Sequence, residues 1–459
     1  MSSASFVGAS SRTVPALPPG PRLPASLQLF RWLTRPTSFM EECARRYGDC
    51  FTVRFPFGRE NIIFFSNPEA IKEIFTGDPE QLRAGEANVI VRPLLGDYSL
   101  LLLDGERHLK ERRLMMPPFH GERMYVYGET MRELTDQTID TWPVGQRFSL
   151  HPSMQQITLN VILRTVFGLA ENATLARLRI LLTELLAQGA NPFMLIPWLQ
   201  LDLGPHSPWG KQVRRRREID QLLFAEFARR RASNLTGQED ILSMLLQARD
   251  EDGQPLSDQH LRDEMVTLLV AGHETTATSL AWIFYRILSR PDVLEKLQTE
   301  LRLEFGIGPI TAKQINKLEY LDAVIKETQR LNPILPIVGR HLRTPMRIGG
   351  HDLPAGVVVS PCIYLTHRQA ALWQNPEEFT PERFLGKKPS PYEFFPFGGG
   401  VRHCLGAAFA TYEMKIVLAQ VLTRMTLRLA PKKPIRVVRR SITLAPSEGT
   451  PVILEQQKA

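Results

Sequence analysis

Apolar residues recur at helical spacing through the middle of the chain, and short strand-like runs flank this region. The spacing is mostly helical from about residue 104 to 310. Before it come a helical stretch (SFMEECARRYG), two strand-like runs (CFTVRFPFG and NIIFFS) and a helix (NPEAIKEIF) with Asn67 as its predicted N-cap. After about residue 340, short strands mix with loops. The pattern predicts a mainly α protein with small β-sheets, of the α+β class.

The clearest predicted element is a helix from about Ser257 to Ser289, which ends before Pro291. At this length it forms a rod of about 50 Å, long enough to cross the whole molecule. Its centre reads AGHETT, where Gly272 costs about 1 kcal/mol relative to alanine. Thr275 and Thr276 can bond carbonyls one turn back and bend the helix. Either a polar groove or a packed helix crossing with surface-facing polar residues accounts for this stretch.

No linker divides the 459 residues, so we expect one domain over residues 25–459. Residues 1–24 contain PALPPGPRLP and predict an extended or disordered arm. A last helix follows Cys404, and a strand pair (TLRLAP and PVILEQ) closes the chain. No apolar leader or membrane-spanning stretch is predicted, because GHETTATS interrupts the most apolar segment. We therefore expect a monomer in the cytoplasm.

The chain is basic, with a net charge of +8 and a pI near 9.4. Such a balance suits nucleic acid, a membrane surface or an acidic protein. Its densest basic run, Arg214 to Arg217, faces Glu218 and Asp220, and the other arginines are spread along the chain. We therefore expect no nucleic acid and favour an acidic protein partner, with peripheral membrane contact left open.

Cys404 lies in a glycine-rich loop, FGGGVRHCLG, and four interpretations apply to it. A disulfide is disfavoured by only four cysteines in the chain. A zinc site needs further ligands at short spacing beside His403. The phosphate-binding loop of cysteine phosphatases needs an arginine where Ala410 stands. A thiolate ligand to a haem iron remains.

Three further groups combine charge with regular spacing. Glu327 and Arg330 are three residues apart in ETQR, a spacing that is usually a solvated ion pair on a helix. Arg383 follows a proline turn in FTPERF. His108 and Arg112 lie four residues apart and share one helix face.

Together these residues resemble the cytochrome P450 superfamily of haem-thiolate monooxygenases. The family signature is Phe-x-x-Gly-x-Arg-x-Cys-x-Gly, and the residues that match it are Phe397, Gly400, Arg402, Cys404 and Gly406. The resemblance covers about residues 40–455 and is nearest to bacterial relatives of the eukaryote-like fatty-acid hydroxylases, including cyanobacterial types. It implies a triangular-prism fold whose long central helix lies over haem b.

The resemblance implies a role for each residue around the haem. Cys404 would be the axial ligand, and Phe397 would limit solvent beside it. Gly398 to Gly400 would turn the backbone tightly and direct N–H groups at the sulfur. The remaining expected contacts of the cofactor are Ala271, Gly406 and the propionate partners Arg402, His108, Arg112 and Arg340. Family members often have tryptophan where His108 stands, and histidine keeps the donor.

Two further sets are implied behind and above the haem. Glu327, Arg330 and Arg383 would form a buried structural network and take no part in the chemistry. Glu274 and Thr275 would be the catalytic pair, with Thr275 bonding dioxygen and Glu274 helping to deliver protons. This pair favours dioxygen and two external electrons over direct use of peroxide.

The implied activity is hydroxylation of a C–H bond in a large hydrophobic substrate by one atom of dioxygen. The alternatives are a haem-thiolate peroxygenase or isomerase, and a non-catalytic haem protein for redox or gas sensing. No flavin or iron–sulfur domain is fused to the chain, so electrons would come from a separate ferredoxin or flavodoxin and its NAD(P)H reductase. Cys43, Cys50 and Cys362 lack cluster spacing.

Apolar variable regions suggest a long-chain fatty acid or alkane, with a terpenoid second. The predicted pocket residues are Val270, Leu335, Ile337 and Val338. A lid is expected over residues 191–204, where Phe193, Met194 and Trp198 are candidates for contact with a membrane surface. Candidate anchors for a carboxylate are Arg59, Arg83 and Arg92.

Overall fold

The structure is a computed structural model that describes residues 16–56, 61–119, 121, 123–168, 173–189, 196, 199–233, 240–249, 253–306, 310–311 and 313–458. Helices dominate it, as the sequence predicts. The helices are α1 (Ala25–Thr34), α2 (Pro36–Tyr47), α3 (Pro68–Thr76), α4 (Ala84–Ala87), α5 (Arg92–Leu95), α6 (Gly105–Met115), α7 (Arg123–Ile139), α8 (Leu150–Phe167), α9 (Ala173–Gly189), α10 (Pro208–Arg231), α11 (Ile241–Gln247), α12 (Asp258–Leu288), α13 (Pro291–Phe305), α14 (Glu319–Leu331), α15 (Ile363–Thr366) and α16 (Ala407–Arg424).

The strands are short and lie mainly at the two ends of the chain. They are β1 (Cys50–Arg54), β2 (Asn61–Phe65), β3 (Leu82–Arg83), β4 (Arg147–Ser149), β5 (Arg340–Leu342), β6 (Met346–Ile348), β7 (His351–Leu353), β8 (Val358–Pro361), β9 (Met425–Leu429), β10 (Val437–Arg440), β11 (Thr443–Pro446) and β12 (Pro451–Gln457). None of the helices in the described part of the chain is long and apolar enough to cross a membrane.

The long central helix, α12, has the predicted bounds. Its N-cap is Ser257, whose hydroxyl accepts a hydrogen bond from the His260 amide at 3.2 Å. Its 31 residues give a rod of about 46 Å. α12 packs against α8, α10, α14 and α16, and most of its central residues are buried. Burial against several helices explains why the sequence from Met265 to Leu288 is apolar on most faces apart from AGHETT, whereas the first turns, Asp258 to Glu264, are mostly polar and charged.

Two sheets flank this helical core. The larger has the strand order β1-β2-β8-β5-β3. In it β1 pairs antiparallel with β2, opposing Cys50 and Phe65, while β2 runs parallel to β8, opposing Ile62 and Val358. A second sheet, β4-β12-β9, contains the strand pair predicted at the end of the chain, with Leu454 opposite Leu427. The hairpins β6–β7 and β10–β11 complete the described strands.

Local sequence signals account for the entry of the chain into the larger sheet. The Asn67 side chain accepts hydrogen bonds from the amides of Glu69 and Ala70, at 2.8 and 3.3 Å, and begins α3 as predicted. The described part of the proline-rich arm, residues 16–24, is extended. The Pro19 carbonyl accepts a hydrogen bond from the Thr52 amide at 2.9 Å, so this part of the arm adds to the edge of β1.

Candidate functional site

The loop before α16 holds Cys404 in a tight turn. The Cys404 amide donates to the Phe397 carbonyl at 3.0 Å, and the His403 amide donates to the Gly400 carbonyl at 3.0 Å. Gly398 and Gly400 have φ angles of 68° and 64°, in the left-handed region that favours glycine. The glycine-rich sequence thus fixes the direction in which Cys404 leaves the loop.

The same loop packs directly against the end of α3. A Cβ atom at Gly400 would lie 2.1 Å from the Phe75 carbonyl oxygen, and one at Gly399 would lie 2.3 Å from the Phe75 ring. No side chain fits at either position. The close approach of Phe75 therefore requires glycine at both positions and fixes how near the loop lies to α3.

The Cys404 side chain is exposed to solvent although protein surrounds it on most sides. Its side chain is exposed, yet desolvation by the surrounding protein is the main influence on the thiol and raises its pKa. A deep but accessible side chain faces an internal opening. The Gly406 amide and the Arg112 guanidinium oppose part of this rise in the thiol pKa, which stays above its ordinary value. The amide recorded at the sulfur thus belongs to Gly406, which precedes α16, whereas the sequence predicted Gly398 to Gly400.

Four basic side chains gather beside this opening. His108 and Arg112 project from α6, Arg340 from β5 and Arg402 from the cysteine loop. Burial lowers the pKa of Arg340 to about 9 and that of Arg402 to about 10, each helped by a neighbouring guanidinium. Burial and then the nearby arginines lower the pKa of His108 to about 3, so its ring is neutral at pH 7.

Asp104 is the acidic partner in this cluster and was missed by the sequence analysis. Its carboxylate lies 2.5 Å from the Arg402 guanidinium and accepts hydrogen bonds from the amides of Gly85 and Glu86, at 2.7 and 3.0 Å. Arg402 also donates to the carbonyls of Leu100 and Leu103. The position of Asp104 just before α6 was visible in the sequence, but nothing local indicated its distant partner.

The charges of this cluster fit a ligand with two carboxylates. Three guanidinium groups, of Arg112, Arg340 and Arg402, face one carboxylate, of Asp104. Arg112 and His108 make no side-chain hydrogen bond within the described ranges. The unbalanced charge equals that of two propionates, and a thiol ligand faces the same opening. The residues present therefore fit haem b.

One face of α12 is accessible at the centre of the helix. Ala271 is exposed at the centre of the helix, although Leu269 and His273 beside it are buried. Thr275 lies one turn further on the same face, half-buried, and its hydroxyl donates to the Ala271 carbonyl at 2.6 Å. The predicted hydrogen bond from Thr275 to a carbonyl one turn earlier is thus present, on an accessible part of the helix.

Glu274 points toward α8 and the β10–β11 hairpin. Its carboxylate accepts hydrogen bonds from Gln155 at 2.7 Å and from Thr278 at 3.3 Å, and it lies 3.5 Å from His151 and 3.8 Å from Arg440. Burial raises the pKa of this carboxyl, while the bond from Gln155 and the charge of Arg440 lower it. Glu274 therefore retains a proton to higher pH than an exposed glutamate does.

Behind the cysteine loop, Glu327, Arg330 and Arg383 form a buried network. Arg330 donates two parallel hydrogen bonds to Glu327, at 2.7 and 2.8 Å, and Arg383 donates a third at 3.0 Å. Glu327 and Arg330 are fully buried. Arg330 also donates to the carbonyls of His367 and Pro376, at 2.8 and 2.7 Å. The pair is therefore no solvated ion pair, and it ties the segment that follows α15 to α14.

The predicted substrate residues occupy several surroundings. Val270 packs on the main helical core, Val338 against the core of the larger sheet and Ile337 against the apolar cluster around Trp32. These three and Leu335 are half-buried. Residues 191–195, 197–198 and Arg59 lie outside the described residues. Neither described anchor candidate is free: Arg83 pairs with Glu80 at 2.7 Å and Arg92 with Asp97 at 3.3 Å.

Comparison with known proteins identifies the class. The family model described as Cytochrome P450 matches residues 17–451. A Mycobacterium tuberculosis protein named cytochrome P450 135B1 is 41% identical to this chain over 439 residues, which cover 94% of this chain and 90% of that protein. The one named for cytochrome P450 138 in the same species is 34% identical over 447 residues, covering 96% and 97%.

Two solved structures share the fold. Cyanobacterial CYP120A1 with retinoic acid bound has a TM-score of 0.84 and 28% identity, covering 96% of this chain and 99% of that one. The haem domain of cytochrome P450DA has a TM-score of 0.84 and 24% identity, covering 97% and 99%. The chain belongs to the cytochrome P450 family and is an oxidoreductase of the monooxygenase type. Its cofactor is haem b, and dioxygen and external electrons are its co-substrates.

We predict that Glu327→Gln destabilises the fold, because it leaves the buried Arg330 guanidinium without its counter-charge. The expected loss is about 3–5 kcal/mol in the free energy of unfolding. Urea unfolding followed by circular dichroism measures it. Glu295→Gln, at an exposed position on α13, is the matched control and is expected to change stability by less than about 0.5 kcal/mol. Equal stability of both variants would contradict a structural role for the network.

Proposed function

We propose that this cytochrome P450 hydroxylates a large hydrophobic substrate, a long-chain fatty acid or alkane before a terpenoid, with Glu274 and Thr275 as its catalytic pair. The observation that carries the proposal is the joint position of these two residues on α12. Thr275 lies on the accessible face beside Ala271, and Glu274 is tied into a polar cluster on the other side. The haem supplies the oxidising chemistry when it is bound.

The chain's own residues would control protons at this site. Burial raises the pKa of Glu274, so its carboxyl exchanges protons closer to neutral pH than an exposed glutamate does. Arg440 lies 3.8 Å from that carboxylate and is partly exposed, which links the buried acid to the surface. Thr275 would hold the final hydrogen bond at the reacting oxygen. The Ala271 carbonyl orients its hydroxyl at 2.6 Å.

We predict that Thr275→Ala lowers product formation by about 10-fold to 100-fold, because a positioned proton donor is lost. Electron consumption should continue, with hydrogen peroxide released in place of product. NADPH oxidation, peroxide and product are measured together in the reconstituted system. Thr276→Val is the matched control, since Thr276 is buried and makes no side-chain hydrogen bond within the described part of the chain.

The outcome separates the alternatives. Unchanged turnover in Thr275→Ala would favour a peroxygenase or isomerase, which needs no proton relay from this residue. Absence of turnover with every electron source, in the wild type and in Thr276→Val alike, would favour a non-catalytic haem protein. Loss of product without extra peroxide would point to a folding defect, which the Soret spectrum of the variant detects.

Apolar surroundings and one neighbour support the substrate class. Val270, Leu335, Ile337 and Val338 offer only aliphatic groups. The structure of CYP120A1 holds retinoic acid, a long isoprenoid chain that ends in a carboxylate. Such a ligand shares its apolar length with a terpenoid and its carboxylate with a fatty acid. Since Arg83 and Arg92 are paired with carboxylates, the apolar length is expected to carry most of the affinity.

Exposed leucines mark the described end of the expected lid. Leu199, Leu201 and Leu203 are 49, 56 and 79% exposed, in the segment before α10. Apolar side chains at such positions favour contact with an apolar phase. This supports uptake of a hydrophobic substrate on this side of the molecule through peripheral membrane contact.

We predict that saturated fatty acids of graded length shift the Soret band of the ferric enzyme saturably toward the high-spin position. Affinity should rise about fourfold for each added methylene, since burial of one methylene contributes about 0.8 kcal/mol of binding free energy. The dissociation constants come from the optical titration. Retinoic acid and sesquiterpenes are titrated in parallel. A shift with the isoprenoids alone would move the proposal to its second substrate class.

A basic surface beside the cysteine loop supports a separate acidic electron donor. Arg107 and Arg113 are exposed on α6, and neither forms an ion pair within the described residues. Val401, in the cysteine loop, is 42% exposed. Exposed positive charges on α6 suit the docking of an acidic ferredoxin or flavodoxin, because complementary charge raises the association rate.

We predict that Arg107→Glu/Arg113→Glu slows electron transfer from an acidic ferredoxin by at least about 10-fold at low salt. The difference should shrink as salt screens the charges. Stopped-flow reduction of the ferric enzyme under carbon monoxide measures the rate. Lys432→Glu/Lys433→Glu reverses the same charge in the exposed loop between β9 and β10 and should leave the rate unchanged. An equal effect of both double variants would show that net charge alone acts.

A further inference from the structure

Three ligand-type side chains meet away from the cysteine loop, between α6 and α12. Glu111 lies on α6, and His260 and Glu264 lie four residues apart on one face of α12. One potential ligand atom from each residue lies within 4.8 Å of the other two. None of these residues has a role in the site described above.

The group is buried and its polar atoms lack partners. Glu264 is 0% exposed and Glu111 is 7% exposed. Apart from the Leu100 backbone amide, which approaches the Glu264 carboxylate, neither the carboxylate oxygens of Glu264 nor Oε1 of Glu111 has a well-formed hydrogen-bond donor among the described residues. Buried carboxylate oxygens without partners are rare, because each loses its hydration without compensation. The Glu264 side chain therefore calls for a ligand that the described residues do not supply.

Neighbouring charges do not compensate these carboxylates. The nearby Arg262 guanidinium forms an ion pair with Asp263 at 3.0 Å. Asp263 also accepts a hydrogen bond from the Gln259 side chain at 2.8 Å. Neither Glu111 nor Glu264 is paired with a lysine or arginine in the described ranges. Glu111 and Glu264 are both buried and have potential ligand atoms within 4.8 Å of each other, so two ionised carboxylates would repel at short range. A cation or a retained proton must offset the repulsion.

The geometry of His260 favours a cation. Its Nε2 lies 2.9 Å from Oε2 of Glu111, yet the ring N–H does not point along a hydrogen bond to that oxygen. Two ligands at about 2.1 Å from one tetrahedral metal ion lie about 3.4 Å apart, so a small widening of this 2.9 Å contact lets both atoms bind one ion. The Tyr98 ring stacks on the imidazole with centroids 5.0 Å apart and fixes its orientation.

We propose that Glu111, His260 and Glu264 bind one divalent transition-metal ion, with zinc the best match to one imidazole and two carboxylates. Calcium and magnesium prefer all-oxygen sites, and the imidazole selects against them. Three protein ligands leave a fourth position for water in a tetrahedral site. The ion neutralises two buried carboxylates and ties α6, which carries Arg112, to α12, which carries Thr275.

The test uses the haem-loaded enzyme and needs no substrate, so it is independent of the proposed function. The wild type is stripped with a chelator, dialysed against zinc sulfate, desalted and analysed for zinc and iron by mass spectrometry. We expect one zinc per haem iron. We also expect His260→Ala and Glu264→Gln to weaken zinc binding by at least about 100-fold in competition with a chromogenic chelator, beyond the loss of a merely supporting residue.

Matched controls keep the result interpretable. Glu106→Gln removes an exposed carboxylate from the same helix and should retain the zinc. The Soret spectrum confirms that each variant keeps its thiolate-bound haem. Zinc should raise the melting temperature of the wild type and of Glu106→Gln, and should not raise that of His260→Ala. The proposal would be overturned by a wild type that holds no stoichiometric zinc. It would also be overturned if His260→Ala and Glu264→Gln held as much zinc as the wild type, and Glu264 would then be a neutral acid.

Discussion

The contact between the cysteine loop and Phe75 is the constraint on which the site depends. Phe75 lies in the last turn of α3 and leaves no room for side chains at Gly399 and Gly400. Arg340 donates to the Gly399 carbonyl at 3.4 Å, and Arg402 donates to carbonyls just before α6. The loop thus joins three distant parts of the chain. Because these are mainly backbone contacts, the position of the thiol hardly depends on which side chains line the substrate pocket.

Positive charge collected beside that loop couples folding to the cofactor. A fully buried guanidinium such as that of Arg340 is costly, and its pKa falls to about 9 for that reason. Asp104 compensates only Arg402 directly. Two haem propionates would supply the missing charge, so haem binding would stabilise the folded chain by more than an iron–sulfur bond at Cys404 alone. The stability of the surrounding helices therefore depends on the same buried arginine charges that would bind the cofactor.

Sequence reasoning succeeded where the signal is local. The cap at Asn67, the bounds of α12 and the glycine loop before Cys404 each depend on residues within a few positions of one another. It missed Asp104 as the partner of Arg402, and Arg440 and His151 as partners of Glu274, because these pairs join segments more than 100 residues apart. The hairpin β10–β11 was also missed, since its strands are only four residues long.

The two helices that hold the haem pocket carry charges on opposite sides of the same turns. On α6, Arg112 contributes to the basic cluster while Glu111, the preceding residue, is buried against α12. On α12, Glu264 meets Glu111, and Glu274 lies further along, linked to α8. Buried acids between helices repel them unless a proton or a cation intervenes. A cation or a proton at Glu264 would therefore stabilise the packing of α6, which carries Arg112, against α12, which carries Thr275.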